Sequence, residues 1–300
     1  RELLDGLLHK QTAVRIACVN ALSNFMINKV NTNYFKTRVW VSTFDESVKD
    51  EADALWQTEN FNIDINSIDE LIKIATTPVE DVRKSAGMAI CKALEGLDKS
   101  SLKSTLKKLC DLYKEKSKPP KPIYDKYGLI VVGSDKQVDP WECRVGVATV
   151  IESCARIIVD FELISFIFEF LITDKEYPAL GDKDFRVSQA MLNSGLAIIN
   201  NNSREQIQKL IPTLEGYLND TNSKAERIKE CCVILLGCIA CHLDKSDPTV
   251  PKVVDKLLEA LSTPSDDVQK AVMQCLPPLF KLTSGKTAPK LIESLLKQLF

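Results

Sequence analysis

Ten cysteines, two histidines and a dense run of lysines are the residues of this 300-residue chain with most capacity for chemistry. Cys238-Ile239-Ala240-Cys241-His242 has the C-x-x-C-H spacing through which haem is attached covalently. Attachment needs an oxidising compartment and an exposed loop or helix end. Cys238 instead continues the apolar recurrence of Cys231, Leu235 and Ile239, which predicts a small thiol packed against a neighbouring helix. A zinc site has too few ligands, because His9 and His242 are the only histidines and no second pair with C-x-x-C spacing lies nearby. The same shortage leaves little for a catalytic triad or imidazole acid–base catalysis. Gly128-Leu129-Ile130-Val131-Val132-Gly133 lacks the spacing of a phosphate loop and no helix start follows it. Asp266-Asp267 reads as the acidic start of a helix. No enzyme, metal or cofactor is expected.

The lysines carry the one charge feature that stands out. Lys99, Lys103, Lys107, Lys108, Lys114, Lys116, Lys118, Lys121 and Lys126 face only Asp111, Glu115 and Asp125, with Tyr113, Tyr124 and Tyr127 interleaved. Lys103, Lys107 and Lys114 share one side of a helix spanning about 99–116, and the Pro/Lys-rich loop after it could follow a phosphate backbone. A solvated helix with a loose loop fits the same residues. A second charged stretch, Asp45–Glu70, holds nine acids against Lys49 and reads as a solvated outer face or an acidic docking patch.

The elements that must position these residues repeat. In 242–279 two helices meet at a corner, with Thr263 suited to cap, Pro264 to the first helical position and Asp266 three residues after the cap. Val268, Ala271, Val272, Cys275, Leu276, Leu279 and Phe280 then line one face. A near copy begins 186 residues earlier at Thr77-Pro78-Val79-Glu80-Asp81-Val82-Arg83. Taking the basic or amide residue after each corner as a marker gives Arg15, Arg83, Arg144, Arg186, Lys229 and Gln269. The last three intervals are 42, 43 and 40 residues, inside the roughly 40–47 of two-helix HEAT and armadillo arrays. The corner residues singled out are Asp81, Arg83, Asp184, Arg186 and Asp267.

The fold expected is therefore all-α, a HEAT/armadillo-type α-α superhelix (solenoid), and a fragment of a longer array. Repeats are expected over 1–116, with a short helical insertion at 33–58. A Pro/Lys-rich loop follows at 117–140, then repeats over 141–300 with the last pair truncated. Pro277-Pro278 is expected to kink its helix. Charge is nearly balanced, 39 basic against 41 acidic residues, so no global field argues for DNA or membrane. The apolar runs are about a dozen residues, short of the roughly 20 that span a bilayer. Most cysteines fall on apolar helical faces, which reads as free thiols in a reducing cytosol or nucleus; the Asn201-Asn202-Ser203 and Asn219-Asp220-Thr221 acceptors are then idle.

His242–Val250 (HLDKSDPTV), Leu261–Gln269 (LSTPSDDVQ) and Gln274–Phe280 (QCLPPLF) resemble the large HEAT-repeat translational activators of the general amino-acid control pathway, strongly over the last 160 residues or so and patchily before Pro140. Trp141-Glu142-Cys143-Arg144 and the Val39-Trp40 and Leu55-Trp56 pairs are similar to the same family more loosely. The resemblance implies a non-catalytic cytosolic scaffold that binds stalled or collided ribosomes. It implies work with an ATP-binding-cassette co-activator and a stress kinase of initiation factor two alpha, docked through segments outside this chain. Under that resemblance the lysine run becomes a candidate contact with ribosomal RNA. The alternative is a general HEAT protein–protein scaffold, of transport-receptor or phosphatase type, with no ribosome contact. The family's Asp-Val-Arg corner maps onto Asp81, Val82 and Arg83, and onto Asp184, Phe185 and Arg186; Lys229 and Gln269 depart from it.

Overall fold

A computed structural model describes residues 1–24, 32–119, 126–127, 129, 131, 138–174, 176–218, 226–244, 247–261 and 265–282. All regular structure among them is helical. The Thr263–Pro264 cap, Phe25, Lys121, Tyr124, the joint 220–224 and most of the loop 117–140 lie outside the described residues, as does the side chain of Phe280.

Two compact units divide the chain, residues 1–157 and 158–300. The first holds α1 (Glu2–Gly6), α2 (Thr12–Asn24), α3 (Asn33–Ser42), α4 (Lys49–Thr58), α5 (Ile68–Ala75), α6 (Glu80–Leu94), α7 (Lys99–Ser117) and α8 (Trp141–Ser153). The second holds α9 (Phe161–Phe168), prolonged by one π-helical turn at Glu169–Thr173, then α10 (Phe185–Asn201), α11 (Arg204–Ile207), α12 (Ile211–Leu218), α13 (Glu226–His242), α14 (Thr249–Ala260) and α15 (Asp266–Leu282).

Helices pair as antiparallel neighbours, and the second helix of each pair also packs on the second helix of the next. In the first unit α5 pairs with α6, α7 with α8, and α6 lies on α8. In the second α12 pairs with α13, α14 with α15, and α13 lies between α10 and α15. A helix flanked on several sides must be apolar around most of its circumference. On α13, Ile228, Cys231, Cys232, Val233, Leu235, Leu236, Ile239 and Ala240 are all buried. Between its open ends, Glu226 and His242, the residues of α13 that stay partly or fully open are Arg227, Lys229, Glu230, Ile234, Cys238 and Cys241. Cys238 is partly buried, its thiol 3.5 Å from the amide oxygen of Asn200 on the neighbouring α10, so it lies at the margin of the packed surface.

On α2 the buried face is Arg15, Cys18, Val19 and Leu22, while Ala17 is exposed. Close helix approach requires a glycine where α8 meets the end of α5: a Cβ on Gly146 would stand 2.1 Å from the Ala75 carbonyl oxygen. Between α2 and α5, Trp40 of α3 donates its indole N–H to the Ala89 carbonyl of α6 at 3.1 Å and lies against Trp56, ring centres 4.8 Å apart. That pairing ties α3 and α4 to the array.

Candidate nucleic-acid interface

The marker arginines have a shared structural task. The turn joining each helix pair leaves carbonyls of the first helix and its exit without intrahelical partners. An arginine in the first turn of the second helix folds back onto them. Arg15 donates to the carbonyls of His9 and Lys10 at 3.0 and 3.4 Å. Arg83 does the same to Thr77 and Pro78 at 3.0 and 2.8 Å, and Gln269 reaches the Leu261 carbonyl at 3.2 Å. Thr77 itself caps nothing; α6 starts at Glu80 and the buried Thr77 hydroxyl has no hydrogen-bond partner. Arg15 also binds Asp45 at 2.6 Å and approaches Asp81 at 3.9 Å. Burial alone would raise the Asp45 carboxyl, but hydrogen bonds from Arg15 and Ser47 outweigh it and hold it below the usual range.

Arg186 differs. It is more than half exposed and pairs at 2.7 Å with Asp184, the residue that caps α10. In that repeat Ser188 reaches back to the Leu180 carbonyl at 2.7 Å, and Arg227 of α13 donates to Ser188 at 2.9 Å. Asp267 lies exposed in the first turn of α15, 3.6 Å from Lys270.

Arg144 applies the same device across the longest connection in the chain. Its side chain is fully buried, with one nitrogen donating to the Lys116 carbonyl at 3.1 Å and two donating to the Asp139 carboxylate at 2.8 and 2.9 Å. Lys116 lies in the last turn of α7 and Asp139 precedes α8, so one guanidinium ties the end of α7 to the approach to α8.

The lysine-rich helix stands on that clamp. Asp98 caps α7, its carboxylate accepting the backbone N–H groups of Ser100 and Ser101 at 3.0 and 3.3 Å. Hydrogen bonds from Ser100 and Ser101 draw its pKa down to about 2. Leu102, Leu106, Leu109, Cys110 and Tyr113 bury the opposite face. This leaves Lys99, Lys103 and Lys107 exposed, spaced one turn apart and about 6 Å along the axis. Lys114 continues the stripe, half-buried. Lys108 turns about 100° away from Lys107 and pairs with Asp69 of α5 at 2.6 Å. Lys116 is paired with Glu115 at 2.9 Å, and Lys118 is exposed. Lys126 lies over the exposed ring of Tyr127 at 4.9 Å. Tyr113 is buried and offers no stacking face; Tyr127 does. Of the nine lysines, the structure brings Lys99, Lys103, Lys107 and Lys114 to one side. The clamp residues Arg144 and Asp139 escaped sequence reasoning as a pair.

The acids of 45–70 are partly spent: Glu70 pairs with the buried Arg38 at 3.0 Å, alongside Asp45 and Asp69. His242 lies 2.8 Å from the amide oxygen of Asn200, and Cys238 donates to the same oxygen at 3.5 Å. Among the described residues no group of three or more His, Cys, Asp or Glu side chains is arranged to hold a metal. No helix among them is long and apolar enough to cross a membrane.

Comparison with known proteins adds a family. A family model described as the HEAT repeats of the stalled ribosome sensor GCN1 matches residues 27–241. It covers the region before Pro140 where the sequence resemblance was patchy. The human stalled ribosome sensor GCN1 is 31% identical over 267 residues, 87% of this chain and 10% of that protein. The eIF-2-alpha kinase activator GCN1 of Saccharomyces cerevisiae is 30% identical over 98% of the chain and 11% of its own length. Protein ILITYHIA of Arabidopsis thaliana is 32% identical over 99% of the chain and 10% of its own length. The chain thus spans about a tenth of the length of the curated relatives it matches. Among solved structures, a designed armadillo repeat protein is similar at a TM-score of 0.34 and 17% identity, over 93% of this chain and 98% of that one.

Proposed function

The chain belongs to the family of the HEAT repeats of the stalled ribosome sensor GCN1, and from that premise we propose that it is a non-catalytic scaffold segment touching ribosomal RNA through α7. In this reading it helps hold an activator of the initiation-factor-two-alpha kinase on stalled or collided ribosomes in the cytosol. The observation that carries the RNA contact is the row Lys99, Lys103, Lys107 and Lys114 along one side of a helix whose other side is buried. Lys99, Lys103 and Lys107 follow one another at about 6 Å along the axis, with Lys114 about 10 Å further on, a row that suits successive phosphates.

The mechanism is presentation. Packed helix pairs fix the position of α7, Asp98 and Arg144 fix its two ends, and lysines meet phosphate without base readout. Lys118, Lys121 and Lys126 of the sequence that follows add further basic charge to this reading. An ATP-binding-cassette co-activator and the stress kinase engage other parts of the longer protein, so their docking residues are not assigned to this chain. The corners at Asp81, Arg83, Asp184, Arg186 and Asp267 serve the array.

Ribosome co-sedimentation tests this. Reversing the charge of Lys99, Lys103, Lys107 and Lys118 should abolish pelleting at low salt. In wild type, affinity should fall with salt at a slope of about 0.7–0.9 per phosphate contacted. Unchanged pelleting by the quadruple variant would leave a general protein scaffold as the better reading.

A further inference from the structure

Two cysteines of the first unit are set against each other by helix packing. Gly87 of α6 faces α8 so closely that a Cβ there would lie 2.7 Å from the Ser153 hydroxyl and 3.2 Å from the Thr149 carbonyl oxygen. One turn further along α6 is Cys91, and one residue beyond Ser153 is Cys154, which closes the end of α8. Both thiols are buried. The Gly87–Ser153 contact sets Cys154 beside Cys91, and Arg156 donates from Nε to the Cys91 sulfur at 3.4 Å. Arg156 is held over it by Glu95 at 2.6 Å and is itself more than half exposed. One exposed, movable side chain therefore covers Cys91.

We propose that Cys91 and Cys154 are a redox site, which hydrogen peroxide closes into a reversible disulfide joining α6 to α8. The Cys91 thiolate attacks one peroxide oxygen; the O–O bond breaks and hydroxide leaves, giving Cys91 sulfenic acid. The Cys154 sulfur then attacks the Cys91 sulfur, and the sulfenic hydroxyl leaves as water with the Cys154 proton. Two thiols lose two electrons and peroxide becomes two waters. The charges suit the roles. The hydrogen bond from Cys154, followed by the one from Arg156, lowers the Cys91 pKa, while the same bond together with burial raises that of Cys154. Cys91 is thus the attacking group and Cys154 the resolving one. The other thiols with resolved shifts are pushed up by burial and are poor nucleophiles, as at Cys231, Cys238 and Cys275. The closed ring would enclose residues 92–153, and with them all of α7 and the loop that Arg144 clamps. The proposal stands on the thiol pair alone and does not require the RNA contact.

The test is to treat the reduced chain with a small molar excess of hydrogen peroxide, block remaining thiols, and map peptides without reductant. A Cys91–Cys154 cross-linked peptide, lost on adding dithiothreitol and accompanied by a higher unfolding temperature, is expected. C154S should stop at a Cys91 sulfenic acid trapped by dimedone. R156Q changes an exposed residue and should slow cross-linking at pH 6.5 by about threefold or more, the loss of thiolate that a one-unit rise in pKa brings. Cys91 remaining fully alkylatable, Cys91 pairing with another cysteine, or an unchanged rate in R156Q would overturn the proposal.

Discussion

Removing the carboxylate of Asp139 should be among the most damaging single changes in the first unit. In Asp139→Ala the Arg144 guanidinium, with no exposed surface, loses both bonds at 2.8 and 2.9 Å and keeps the Lys116 carbonyl at 3.1 Å. Breaking a buried ion pair from one side costs about 3–5 kcal/mol. Asp139 is 31% exposed, so water can reach the vacated side and the expected cost falls to about 2–4 kcal/mol. Removing both charges is a milder change, because the buried cation goes together with its carboxylate. Arg144→Met with Asp139→Ala should therefore cost less than Asp139→Ala alone, with a coupling of about 1–3 kcal/mol. All three tryptophans, Trp40, Trp56 and Trp141, lie in the first unit. Urea unfolding followed by tryptophan fluorescence thus reports this unit directly. A cost below about 1 kcal/mol for Asp139→Ala, or a double variant less stable than either single one, would refute the clamp.

Gly146→Ala should destabilise the first unit by about 1–3 kcal/mol in the same assay, since the opposing atom is a backbone oxygen that cannot swing aside. Asp98 has a depressed folded-state pKa of about 2, so its contribution is complete above its unfolded pKa of roughly 4 and is lost as pH falls toward 2. Amide exchange at the start of α7 should accelerate over that window, and Asp98→Ala should show the faster exchange already at pH 7. Trp40→Ala should cost about 3–5 kcal/mol as its cavity opens between α3 and α6, with a loss of near-ultraviolet circular dichroism that Trp40→Phe largely avoids.

The helices were legible because their apolar residues recur at the helical period, and the 40–43-residue marker spacing exposed the array. The marker arginines were visible as a recurrence, yet their task was not. They bind backbone carbonyls, and a carbonyl is the same at every residue type. Arg144 and Lys116 are joined in this way across 28 positions, so no side-chain pattern could announce the clamp. The Cys91 and Cys154 segments come together because Gly87 lets α6 pack closely on α8, which is a fact of the interface and not of either segment. Cys238 was read as packed against a neighbour and lies at the margin of that packing, because α13 is surrounded. When three sides of a helix are apolar, its open stripe is narrow, and a wheel cannot separate a wall residue from one beside it. The lysine stripe was readable as charge on one helical face; what packing adds is that Lys108, beside it in sequence, pairs with Asp69 of α5.

Because one guanidinium ties Lys116 to Asp139, the seating of α7 against α8 does not depend on the length of chain between them. Residues could be added, removed or exchanged there at the entropic cost of a longer tether, which grows only logarithmically, while α7 and α8 keep their seats. That makes the stretch a natural handle, where a fluorophore, an affinity tag or a photocrosslinker could be grafted without loosening the scaffold that carries it.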